Sequence, residues 1–290
     1  MVRILRPLRM ALWKSLQHDV FAIAKAAAYS SILTLFPALL VVASIAAATE
    51  GTGEYVLQVS YAIGQILPSG GGTAMRYFET AQHRPLGTLI PTSLITLWTA
   101  SGIFISWMEG FRKAFGLPKT WGLVKERLVA FFLVFLTFVP MLFATVLVVF
   151  GNQIETWMVF HGGHEFGFYI LALWTFGRWL IAVATSVAVL QLIYHWAIPR
   201  TDPWHNALPG AGLATALWFP ATYLFGWYLR HFSTYSIIYG SLATSIALLV
   251  WMYIIAVIVL LGAEFNAQVF PKTVLSNGDP PVQEQELQVR

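Results

Sequence analysis

Six stretches of the chain are apolar for long enough to cross a bilayer: roughly 22–48, 87–108, 128–150, 170–197, 207–229 and 241–268. A spanning helix needs about 20 mostly apolar residues, because the hydrocarbon core is about 30 Å thick and a helix rises about 1.5 Å per residue. The pattern therefore predicts an all-α fold, a polytopic bundle of six transmembrane helices over residues 1–270.

Polar segments punctuate the runs. In loop 49–86, Val56, Val59, Ile63 and Ile66 keep helical spacing between Gly51-x-Gly53 and Pro68-Ser69-Gly70-Gly71-Gly72. That spacing predicts a short amphipathic helix lying at the outer interface. Residues 271–290 are polar, with Pro280-Pro281, and read as a disordered cytoplasmic tail. The start imitates a signal peptide: basic residues, an apolar run, then Ala46-Ala47-Ala48. The run is too long for such a leader and Lys25 interrupts it, so a retained first helix is expected.

Charge sets the orientation. Arg3, Arg6, Arg9 and Lys14 precede the first run, and Arg112, Lys113, Lys119, Lys125 and Arg127 follow the second. Arg200 and Lys272 fall on the same side, whereas the opposite side holds only Arg76, Arg84 and Arg230. The positive-inside rule puts both termini in the cytoplasm, which an even number of spans requires.

Composition agrees. The chain is 58% hydrophobic and 10% charged, against about 25% charged in soluble domains, and the deficit runs through all of it. Aromatic residues, 15% of the total, suit belts at two interfaces. Cysteine is absent, which excludes disulfides, thiolate catalysis and cysteine-based metal sites.

The closing stretch carries a resemblance. Pro209-Gly210-Ala211, Trp218, Tyr239-Gly240-Ser241, Trp251 and Gly262-Ala263-Glu264-Phe265-Asn266-Ala267 stand in order. With the opening Ala24–Val42 and QLIYHWAIP at 191–199, the chain resembles the YihY/BrkB integral membrane proteins over most of its length. The resemblance implies a multi-pass protein of the bacterial inner membrane. Members are variously described as transporters and as virulence factors, and the family was once labelled ribonuclease BN.

Several residues could carry function. Lys25, Glu109 and Glu264 lie at matched depth near the cytoplasmic ends of three runs. Charges are costly there, so they form either a gating or proton-coupling network or snorkelling and structural pairs. Arg178 is the deepest basic residue, and either contacts an anionic substrate or reaches the outer interface. Thr88, Thr92, Thr96, Thr99 and Ser106 share an arc of roughly 80°, a hydroxyl stripe that serves helix packing or a polar path. Ala211, Thr215, Thr222 and Gly226 repeat it more weakly, and Ala22, Ala26 and Ser30 have small-residue packing spacing. Pro37, Pro91, Pro140 and Pro220 interrupt four runs and are hinges or ordinary membrane-helix prolines. His161 and His164 flank a Gly-Gly pair whose spacing fixes no metal geometry, so no metal and no cofactor is expected.

Two function classes remain. One is transport or flipping of an anionic or lipid-like substrate, with membrane lipids as partners. The other is a non-catalytic membrane organiser or envelope assembly factor linked to virulence. An enzyme is not expected. A nuclease needs metal ligands or an acid/base pair converging on one site, and the acidic residues are scattered, so no nucleic-acid partner is expected either.

Overall fold

The computed structural model describes residues 2–48, 85–140, 142, 167–199, 203–231 and 242–270. Seven helices make up the described part: α1 (Val2–Gln17), α2 (Val20–Ala48), α3 (Pro85–Ala114), α4 (123–140), α5 (Gly167–Trp196), α6 (Leu208–His231) and α7 (Leu242–Val269). A single 3-10 turn, Trp204–Ala207, leads into α6. No strand occurs among the described residues. A helix stands at each predicted run. Four, within α2, α3, α5 and α7, are apolar and long enough over their described residues to cross a membrane.

Helix ends follow local chemistry. Asp19, at φ 57°, breaks α1 from α2, and its carbonyl accepts the amides of Ala22 and Ile23 at the start of α2. Gly116, at φ 61°, closes α3. There the Leu117 amide donates to the Arg112 carbonyl and the Gly116 amide to Lys113, so two orphan carbonyls are satisfied before Pro118.

The core is built on small residues. α2 lays Val20, Ile23, Ala24, Ala27 and Ala28 against its neighbours, most extensively α3. The face differs from the one expected from Ala22 and Ala26, which are exposed. α7 is the central element and touches α1, α2, α3 and α6. Residues 262–267 are consequently buried without a break, an all-round burial that fits a helix enclosed by others. Large apolar side chains such as Leu94, Trp98, Phe135, Phe176, Tyr223 and Leu224 point outward, as a lipid solvent allows.

Four expectations fall outside the described residues: the interfacial helix of loop 49–86, the tail 271–290, the His161–His164 pair, and the side chains of Thr88 and Arg178. The basic segment that precedes the first apolar run is itself a helix, α1.

Candidate functional site: a buried polar junction above an apolar cavity

The ends of α1 and α5 and the start of α6 come together around the end of α7. Glu264 is fully buried there, and its Oε1 lies 2.7 Å from His18 Nδ1 in the turn after α1. Its Oε2 is buried with no hydrogen-bond partner among the described residues. Two residues earlier in α7, Gly262 meets Gly210 and lets the backbones of α6 and α7 touch. A Cβ on Gly210 would stand 2.1 Å from the Gly262 carbonyl oxygen, and one on Gly262 would stand 2.7 Å from that of Gly210. Only glycine at both positions permits this crossing. Asn266 stitches it: its Oδ1 accepts the Gly210 amide at 2.6 Å, and its Nδ2 donates to the Ala207 carbonyl at 3.0 Å. The Gly210 amide is one of the unsatisfied donors at the start of α6, and the Ala207 carbonyl closes the 3-10 turn before it. Tyr194, from α5, donates its hydroxyl to the Val259 carbonyl at 2.7 Å and packs edge-on against Phe111.

A second polar cluster sits where α3 meets α4. The carboxylate of Glu126, buried in the first turn of α4, pairs with Arg112 and lies 3.2 Å from Lys119. Arg127 donates to Ser101 Oγ at 2.7 Å, with its guanidinium 4.3 Å from the Trp98 ring centre. That ring contact spreads the cation over an aromatic face.

Directly below the glycine crossing lies a cavity of about 360 Å³. Ala214 and Val259 border it as well as the junction, and Trp107, Val189, Trp218 and Ile255 are among its walls. The lining is almost wholly apolar. The hydroxyls of Thr137 and Ser186 reach it but donate to their own helices, to the Leu133 and Ala182 carbonyls. The indole Nε1 of Trp107 is buried with no partner among the described residues.

The family model for the virulence factor BrkB matches residues 11–285. The chain belongs to the BrkB family. A ribonuclease-like protein of Bacillus subtilis (strain 168), YfkH, is 28% identical over 259 residues, 87% of this chain and 91% of its own. A UPF0761 membrane protein of Xanthomonas axonopodis pv. citri (strain 306) is 28% identical over 87% of this chain, which spans 58% of that relative's length. Another, from Tolumonas auensis, is 41% identical over 88 residues, 30% of this chain and 29% of its own. No solved structure matches. Membership makes the chain a BrkB-family membrane protein, and the ribonuclease-like name belongs to the Bacillus relative.

The geometry redistributes the residues singled out from this BrkB-family sequence. Lys25 does not meet Glu264. It is exposed, because it lies on the face of α2 opposite Ala24 and Ala27, and it has no ion-pair partner among the described residues. Glu109 is likewise exposed and unpaired among them. Matched depth does not fix a pairing, and rotation about the helix axis decides it. His18 takes the place of Lys25. The hydroxyl stripe is turned inward on itself: Thr92, Thr96, Thr99 and Ser106 donate to the carbonyls of Leu89, Thr92, Ile95 and Gly102 in α3. Those hydroxyls are thereby occupied, and close packing beside them is evident where Gly102 approaches Ser30 of α2. Pro37, Pro91 and Pro220 stand inside α2, α3 and α6, and Pro140 within the described end of α4. In α6, Ala211 and Thr215 are buried, whereas Thr222 is exposed and bonded to the Trp218 carbonyl.

Sequence reading missed His18, Glu126 and Arg127 as paired groups. His18 carried a faint signal, a titratable residue at the seam between a basic segment and an apolar one. Nothing in the linear spacing of Glu126 and Arg112 marked them as partners, since a turn separates them.

Proposed function

We propose that this BrkB-family protein binds a lipid-like, anionic amphiphile and moves it between bilayer leaflets. The observation that carries the reading is the cavity: about 360 Å³, walled by apolar side chains, inside a bundle of membrane helices. Its size is that of ordinary small-ligand sites, and its lining suits an acyl chain better than a hydrophilic solute. α3 leaves the cavity at Trp107 and carries the partly exposed Lys113 about one and a half turns later, a cation suited to a head-group phosphate.

In this reading six helices cross the bacterial inner membrane, with both termini in the cytoplasm, as the Lys and Arg distribution supports. Arg178, on the outer half of α5, is a candidate anion contact at the far leaflet. Lys25 and Glu109, exposed at the charged end, are candidates for head-group contact rather than for a buried gate. The four helix prolines are candidate hinges.

The close Gly210–Gly262 crossing favours a second reading, a rigid scaffold that organises other envelope proteins. One experiment separates the two. Purified protein is reconstituted into vesicles carrying a fluorescent phospholipid, and a membrane-impermeant quencher is added. Loss of signal beyond one half, dependent on the protein, supports movement of lipid. A plateau at one half for a range of anionic and zwitterionic lipids favours the scaffold.

A further inference from the structure

α1 has two faces, and only one is used by the bundle. At 100° per residue, Ala11, Ser15 and His18 form a single stripe, buried or partly buried where α1 packs on α7. The opposite arc carries Arg6, Arg9, Leu12, Trp13 and Leu16. Three of these are large apolar side chains, and Trp13 is 65% exposed and Leu16 60%. No acidic residue lies between Val2 and Gln17, whereas Arg3, Arg6, Arg9 and Lys14 do. An open depression on this side is bordered by Arg9, Met10, Trp13 and Lys14.

We propose that α1 is an in-plane anchor whose outward face seats on anionic phospholipid at the charged end of the bundle. Three features select this occupant. At 16 residues, α1 is shorter than the usual minimum of about 17 for a span. It is also charged, so it suits the surface of a bilayer rather than its interior. Its position is fixed, because the turn at Asp19 joins it to the first residue of α2 and the His18–Glu264 pair holds its end to α7. It therefore lies at the boundary where α2 enters the membrane. Its outward face then mixes what an interface takes: Leu and Trp side chains sink below the head groups while arginines between them reach phosphates. An uncharged or cationic surface would accept the apolar groups and leave the arginines without counter-ions. The anchor is independent of whether the cavity carries a lipid chain.

The test uses the full chain in nanodiscs, with amide hydrogen exchange read across residues 6–17. In discs containing phosphatidylglycerol, exchange is expected to be about tenfold slower than in phosphatidylcholine alone. The double variant Arg6→Gln, Arg9→Gln abolishes that difference, and Trp13→Ser weakens protection in both lipids. Exchange within α7 reports that the bundle is intact, since none of these residues belongs to the buried stripe. Equal protection in the two lipids overturns the proposal. Protection that follows the number of protein copies per disc also overturns it, and assigns the face to a second copy of the chain.

Discussion

The Nδ1 of His18 lies 2.7 Å from the Oε1 of Glu264, joining the end of the N-terminal helix to the last helix across 246 residues of sequence. The carboxylate is fully buried and the imidazole is 27% exposed, so the contact spans the edge of the core. Removing one partner of a buried pair strands the other, at a cost of about 3–5 kcal/mol when both are enclosed and less where one is partly wet. His18→Ala and Glu264→Ala are therefore each expected to lower the thermal stability of the detergent-purified protein, and the double variant to recover part of the loss. The same cycle between Lys25 and Glu264 is expected to be additive. Coupling of Glu264 to Lys25 in place of His18 would refute the junction.

The glycine crossing gives a prediction with an internal control. Gly210→Ala and Gly262→Ala place a methyl group against backbone that cannot yield, whereas a Cβ on Gly212 meets nothing within 4 Å. Overpacking of this kind costs about 1–3 kcal/mol or more, and the first two variants are expected to lose folded yield. Gly212→Ala is expected to match the parent in size-exclusion profile and melting temperature. Equal tolerance at all three positions would show that α6 and α7 do not approach as described.

Asn266 serves an accepting and a donating bond at the start of α6, so its substitutions separate the two. Asn266→Asp keeps the acceptor for the Gly210 amide and loses the donor to Ala207, while Asn266→Leu loses both. Each buried group left unsatisfied costs about 1–3 kcal/mol. Both variants are expected to lower thermal stability relative to the parent, and a parent-like melting temperature in either would contradict the arrangement.

The long elements were legible because lipid imposes one requirement, an unbroken apolar helix of sufficient length, and a helix stands at each such run. The Gly262–Ala267 motif was also visible, and its residues do form the junction. Its partners were not. Depth along a helix can be counted from the sequence, but the direction of a side chain around the axis depends on which neighbours surround it. Lys25 and His18 both lie near the start of α2, and only packing of α1 on α7 chooses between them. α1 itself was hidden because arginines break up its apolar face, so it reads as a basic tail until Ala11 and Ser15 are seen buried. The threonine stripe was real as a pattern, yet its hydroxyls bond within α3, a local option open to any Thr or Ser in a helix.

The proposed route through the cavity is tested most directly by filling it. Ser186 lines the cavity and its hydroxyl serves only its own helix, so Ser186→Phe adds bulk there without stranding a partner. The parent and the variant are reconstituted at equal protein-to-lipid ratio, and the rate of lipid movement between leaflets is measured by quenching, with melting temperature as the check on folding. The account predicts protein-dependent movement in the parent and a loss of about tenfold or more in a folded Ser186→Phe variant. A folded variant that moves lipid at the parent's rate would contradict it.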